Sequence, residues 1–330
     1  MAASSTTAVL SALIGNSFLT VLKFIAFFFS GSGAMLSEAF HTLADTANQA
    51  LIFLGIRRSE KPANQLFGYG YGAERYFYSL LSAMGIFVLG CGVTLYHGIH
   101  TLLHPPELTI SWWIFAVLGI SFVVDGFVFF LALKAVKAQM GGRPVGVFLE
   151  SITDPTAVSV LLEDLAACFG VLFALVGIAL SHWTGNPVFD SIGSILIGLM
   201  LGGIAVWIGY QNRTLILGRT IPKDVRRDVV DYLNAQATVE SVSGVKSRVV
   251  GADRYKLKAE VDFDGRELGQ RLGGWVEERA PELRGTEACT AFAGEFGERM
   301  MRLLGEEVDR LEGEIRELHP ELEFLDFEAD

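Results

Sequence analysis

The chain has 330 residues, of which 51% are hydrophobic and 19% charged, and a mean hydropathy of +0.41. That balance is too apolar for an ordinary soluble protein of this length and points to a membrane class. The net charge of −11 is confined to one end: from Lys223 onward there are 16 Lys+Arg and 26 Asp+Glu, a net −10, which argues against nucleic acid as a partner.

The first apolar span runs from Ser5 to Ser30. It is too long for a cleavable signal peptide and lacks the basic start of one. Lys23, near its end, reads as a side chain that snorkels to the interface. Gly31-Ser32-Gly33 then leads into a second span, Gly33 to Ile56, long enough to cross a bilayer and closed by Arg57-Arg58. Glu38, in its first turn, reads as a helix-start carboxylate favoured by the dipole.

His41 and Asp45 stand at i and i+4 in this second span, on a single helix face. Ionisable side chains at membrane depth cost roughly 2.5 to 3.5 kcal/mol each, so they face a pathway, a partner or an ion. An imidazole and a carboxylate at this spacing can chelate a divalent metal. The alternative is a buried His–Asp hydrogen bond that joins two helices.

A polar loop from Arg57 to Arg75 holds Phe67-Gly-Tyr-Gly70. The third span, Tyr76 to Thr101, ends with His97, His100 and His104 before Pro105-Pro106, a pattern that reads as solvated histidines at a membrane boundary. The fourth, Trp112 to Val136, holds Asp125, a candidate proton relay or interhelical hydrogen bond. Asp154-Pro155 reads as the N-cap and first residue of a fifth helix that runs to Ser181. Glu163 and Asp164 fall inside it. The sixth span begins after Pro187 and ends near Leu217, with Asp190 as a dipole-favoured acid in its first turn.

Of the ten basic residues before Lys223, nine fall in or beside the second, fourth and final connections. By the positive-inside rule both termini and the acidic tail then lie in the cytosol or its organellar equivalent. At 1.5 Å per residue, Asp45 is about 18 Å from Arg57 and Asp164 about 14 Å from Pro155, so the two carboxylates reach similar depth from the same side. A transporter's central ion site needs two helices at one depth.

In the tail, Lys223 to Ala235 predicts a helix, and Val239 to Val250, Tyr255 to Phe263 and Glu321 to Glu328 predict strands. Phe296, Met300, Leu304, Val308, Leu311, Ile315 and Leu318 repeat at helical spacing as a stripe that packs on the sheet. The expected architecture is an all-α six-helix transmembrane bundle over residues 1–217, followed by a small α+β, ferredoxin-like cytosolic domain over 218–330. Cys91, Cys168 and Cys289 are scattered and form no metal knuckle.

Four segments together resemble the cation diffusion facilitator family, in the branch that contains the animal mitochondrial zinc transporter: Ser30 to Gln49, Phe67 to Gly70, Asp154 to Asp164 and Lys258 to Gly265. The resemblance implies a homodimer in the lipid bilayer of a bacterial inner membrane or an organelle. It implies exchange of Zn2+, or of Mn2+, Co2+, Fe2+ or Cd2+, for H+. It also implies a metal site drawn from an H/D-x-x-x-D pair on the second helix and another on the fifth. His41, Asp45 and Asp164 match three of those positions, and Val160 stands at the fourth, where no metal can be ligated. Glu163, about 100° around the helix from Asp164, is the candidate to complete the set; Cys168 and water are the others. Asn64, Gln65 and Tyr69 occupy the loop where the family often has a second metal site, so none is expected there, and His319 alone in the tail makes a His-rich regulatory site unexpected.

The expected function is metal/proton antiport rather than catalysis. Two rivals come from other classes: a metal-dependent intramembrane hydrolase, and a membrane-anchored partner-binding protein whose transport site has decayed.

Overall fold

The computed structural model describes residues 2–105, 112–142, 144–146, 148 and 156–329. They form two compact units, Met1–Leu217 and Gly218–Asp330.

The first unit is helical. α1 (Ala2–Ser30) and α2 (Gly33–Ser59) form an antiparallel hairpin. Gly31 makes the turn possible with φ +66, a value L side chains resist. Ser32 then caps α2 by accepting the Met35 N–H. The third rod is α3 (Glu74–Gly85), a π-helical stretch (Ile86–Val93) and α4 (Thr94–Leu103). α5 (Trp112–Met140), α6 (Thr156–Thr184) and α7 (Val188–Leu217) complete the unit. Asp154 and Pro155, the expected start of the fifth helix, lie outside the described residues.

Among the described residues four stretches are long and apolar enough to cross a membrane: Glu74–Leu103, Ile114–Ala138, Val158–Thr184 and Val188–Leu217. The 27-residue α2 is as long but more polar. Large apolar side chains such as Phe28, Val123, Phe127 and Val206 are exposed on the outside of this unit, the arrangement a lipid solvent favours.

Small residues set the distance between rods. A Cβ at Gly198 would meet Leu95 at 2.9 Å, and one at Gly202 would meet Cys91 Sγ at 2.8 Å, so α7 lies close against the third rod. Hydroxyls seam the same region: Ser37 bonds Ser194, and Ser191 donates to Thr101 at 3.0 Å. Met35, Leu118, Ile178, Ile197 and Leu201 are among the buried core around this seam.

The second unit is α+β. α8 (Lys223–Asn234) precedes β1 (Val239–Gly251) and β2 (Arg254–Phe263). These pair antiparallel with Val242 opposite Val261. α9 (Gly265–Gln270), α10 (Gly273–Arg279) and α11 (Thr286–Leu318) form the crossover that a parallel partner requires. β3 (Phe324–Ala329) then lies parallel to β2 with Leu325 opposite Leu257. The sheet order is β1-β2-β3.

Leu233, Leu257, Val261, Leu311 and Ile315 are buried. The stripe expected along α11 is core only in its second half. Phe296, Met300, Leu304 and Val308 are half-buried, and Leu318 is 60% exposed at the end of the helix. Glu307 sits within that core and accepts from Thr238 Oγ1 at 2.6 Å, Arg271 Nη1 at 2.8 Å and Arg310 Nη2 at 2.7 Å. These partners, Arg310 foremost, hold its carboxyl down at about 2.

Candidate metal centre in the helical unit

His41 is almost fully buried on α2, and its Nε2 lies 3.4 Å from Asp45 Oδ2, as the i, i+4 spacing requires. Among the described residues neither ring nitrogen of His41 has a hydrogen-bond partner, and Asp164 Oδ2 on α6 is equally without one. Buried polar atoms are normally satisfied, so a buried imidazole with two open nitrogens calls for an explanation. Asp45 lies within electrostatic reach of Glu163, Asp164 and Asp125, which places the acids of three helices around one region. Among the described residues, however, no three His, Cys, Asp or Glu side chains converge tightly enough to coordinate one ion.

Glu163 is engaged elsewhere. Its Oε2 accepts from Asn48 Nδ2, and Asn48 Oδ1 in turn accepts from Ser82 on α3. The chain Ser82–Asn48–Glu163 ties three helices beside the His41–Asp45 pair. Asn48 was not among the candidate residues. Its signal was in the spacing, since it follows His41 by seven and Asp45 by three and so shares their face. Val160 and Cys168, one turn to either side of Asp164, are both half-buried.

Three sequence expectations need correction. Lys23 does not snorkel: it is completely buried, and its Nζ donates to Glu38 Oε2 at 2.9 Å and to Thr42 Oγ1 at 2.8 Å. Glu38 is therefore an interior ion-pair partner rather than a first-turn acid held by the helix dipole. The antiparallel hairpin is the cause, because residues at similar distances before and after its turn are brought face to face. Asp190 is in the first turn of α7, as expected, and in addition serves a second helix. It accepts from Ser32 Oγ at 2.6 Å and from the Gly33 N–H at 2.7 Å, so it caps α2 from α7. Third, His97 is only half-exposed: it packs edge-on against Phe27 while His100 and His104 are exposed and stacked 5.0 Å apart. Asp125 on α5 lies 4.0 Å from Lys23 Nζ on α1, an interhelical ion pair rather than a hydrogen bond.

The buried acids and open imidazole can be set beside known proteins. The cation efflux transmembrane domain matches residues 9–217. The mitochondrial proton-coupled zinc antiporter SLC30A9 of Mus musculus is 36% identical over 328 residues, which cover 97% of this chain and 58% of the mouse protein. Metal tolerance protein C4 of Arabidopsis thaliana is 35% identical over 98% of this chain and 73% of its own length. The cation-efflux pump FieF of Shewanella oneidensis is 25% identical over 75% of this chain and 78% of its own. The chain thus spans about three-fifths of the length of the mouse relative. It belongs to the cation efflux family, the cation diffusion facilitators that its membrane motifs resemble.

Proposed function

We propose that this chain exchanges a divalent metal ion, zinc in the first place, for protons across a membrane. The observation that carries the reading is the buried His41, whose two ring nitrogens find no hydrogen-bond partner while the carboxylate of Asp45 stands 3.4 Å away. A merely structural His–Asp pair would use at least one of those nitrogens. The mouse relative's name, a proton-coupled zinc antiporter, supports the same substrate and counter-ion. Mn2+, Co2+, Fe2+ and Cd2+ suit the same donor types and are the competitors to test.

In this reading His41, Asp45 and Asp164 are ligands of the transported ion. Glu163 is the fourth candidate, held back by Asn48 until an ion draws the acids together. His41 binds metal only when neutral and the carboxylates only when ionised, so protons and metal compete for one set of groups. Rocking of the helices exposes that set to one side and then the other; protons on the acidic side displace the ion, and their loss on the cytosolic or matrix side restores affinity. α1 and α2 join the four more apolar rods as membrane crossings, which gives six. The basic connections support a topology with both termini on the side from which the metal is exported. The acidic tail is a cytosolic or matrix domain through which two copies associate. Removing Lys223 to Asp330 should therefore weaken dimers measured by light scattering, and an unchanged dimer would contradict that role.

The decisive experiment is zinc uptake into vesicles that hold the purified chain under an imposed pH gradient. Wild type should move zinc and protons in opposite directions, and Asp45→Asn should move neither while it remains folded. Gradient-driven flux retained by Asp45→Asn would sink the assignment. Hydrolysis without flux would favour the intramembrane hydrolase, and inert wild type would favour the partner-binding protein.

A further inference from the structure

Lys23 poses a separate question. Its ammonium stands among Glu38, Thr42 and Asp125, at 2.9 Å, 2.8 Å and 4.0 Å. Glu38 is fully buried, and among the described residues its second oxygen, Oε1, has no hydrogen-bond partner; the nearer oxygen of Asp125 has none either. That free Glu38 oxygen points at Gly170 of α6, where any Cβ would collide with it. A side chain at this position would push the carboxylate from its present place.

A buried ion pair is weak evidence for stability, because the desolvation of both charges offsets their attraction and apolar replacements often fold as well. The location is more telling. Glu38 precedes His41 by three residues, about 4.5 Å along α2 and on the side away from Asp45. The ammonium bridges Glu38, on the Gly31-Ser32 side of His41, and Thr42, which directly follows His41, so it stands beside the first candidate ligand on α2.

We propose that Lys23 is a tethered cation that bars passive escape of the transported ion: a divalent ion moving past His41 along α2 meets a fixed ammonium where it would otherwise meet the carboxylates of Glu38 and Asp125. A fixed positive charge on a narrow polar path is a barrier to cations. With Lys23 in place, Glu38 and Asp125 are already partnered by a charge that cannot leave, and the ion waits at His41, Asp45 and Asp164 until the helices rearrange. The proposal rests on those three residues being the transport ligands.

The test uses the full chain in vesicles with an enclosed zinc indicator, and compares downhill zinc leak without a pH gradient with flux driven by one. Lys23→Met/Glu38→Gln removes both charges at similar volume, and its leak should rise about fivefold or more, the lower end of typical site-to-site coupling. Lys23→Gln/Glu38→Gln, which removes both charges but leaves polar groups that can hydrogen-bond each other, should show the same rise and serves if the first double variant does not fold. Lys23→Arg keeps the charge and should keep the wild-type leak. If Asp45→Asn is inactive while both charge-removing variants leak no more than wild type, the pair is structural and the barrier is rejected with the transport site intact. If Asp45→Asn moves zinc as well as wild type does, the ligand assignment fails and takes the barrier with it.

Discussion

Asn48 donates to the carboxylate of Glu163 and accepts the hydroxyl of Ser82, so one amide on α2 fixes both an acid on α6 and the start of the third rod. Groups that orient ligands matter nearly as much as the ligands themselves.

Asn48→Ala should therefore weaken zinc binding by about 10- to 100-fold without removing any proposed ligand. Glu163→Gln should cost less than Asp164→Asn, since Asp164 has a carboxylate oxygen with no hydrogen-bond partner and Glu163 is already engaged. Zinc titration by calorimetry in detergent ranks the three. The reverse order for the two acids would make Glu163 the direct ligand and Asp164 its support.

Val160, half-buried four residues before Asp164, is the place to complete the set. Val160→His should tighten zinc by about tenfold, roughly 1.4 kcal/mol, because both side chains project from one helix face. Turnover should fall, since an ion held more strongly leaves more slowly. Affinity and flux measured on the same preparation check both halves, and an unchanged affinity would mean that another group already closes the site.

The cap that Asp190 provides to α2 predicts a stability series. Its carboxylate takes the Ser32 hydroxyl at 2.6 Å and the Gly33 N–H at 2.7 Å, and hydrogen bonds to a charged group contribute about 1.5 to 3 kcal/mol each. Asp190→Ala should lower the thermal midpoint of the detergent-solubilised protein substantially, and Asp190→Asn, which keeps one acceptor, by less. Equal midpoints for wild type and the alanine variant would remove the cap from the list of stabilising contacts.

In the tail, the Glu307 carboxyl is depressed from 4.5 to about 2, with the Arg310 hydrogen bond as the leading cause. A depressed acid stabilises the fold above its unfolded pKa and stops doing so as pH falls through the folded one. Glu307→Gln should thus destabilise the second unit by about 2 kcal/mol at pH 7, a figure discounted for the partly exposed arginines. The gap to wild type should shrink between pH 4.5 and 2. Hydrogen exchange of α11 and β2 amides in the full chain, followed against pH, measures it, and a gap that stays constant to pH 3 would contradict the assignment.

Much of this was legible in the sequence for local reasons. Apolar runs and cap residues marked the helices, alternation marked β1 and β2, and the i, i+4 spacing placed His41 beside Asp45. Asp190 was not legible in the same way, because its partners Ser32 and Gly33 lie more than 150 positions away and are supplied by interhelical packing. Lys23 was an intermediate case. It lies eight residues before Gly31, and Glu38 six after Ser32, so a hairpin hinged at that turn should bring them together. Reading each span alone hid the pairing. The α11 stripe was overextended for the opposite reason: its period was right, but the three-stranded sheet is too small to cover its whole length.

The π-helical stretch Ile86–Val93 divides the third rod. A π turn holds an extra residue, so α4 is rotated by about 100° from the phase that an unbroken α-helix continuing α3 would give it. Each half keeps its own grip on the bundle: Ser82 of α3 on Asn48, and Thr101 of α4 on Ser191. The rod is in effect two shafts coupled out of phase, one geared to the acids of the centre and the other to the hydroxyl seam of α7.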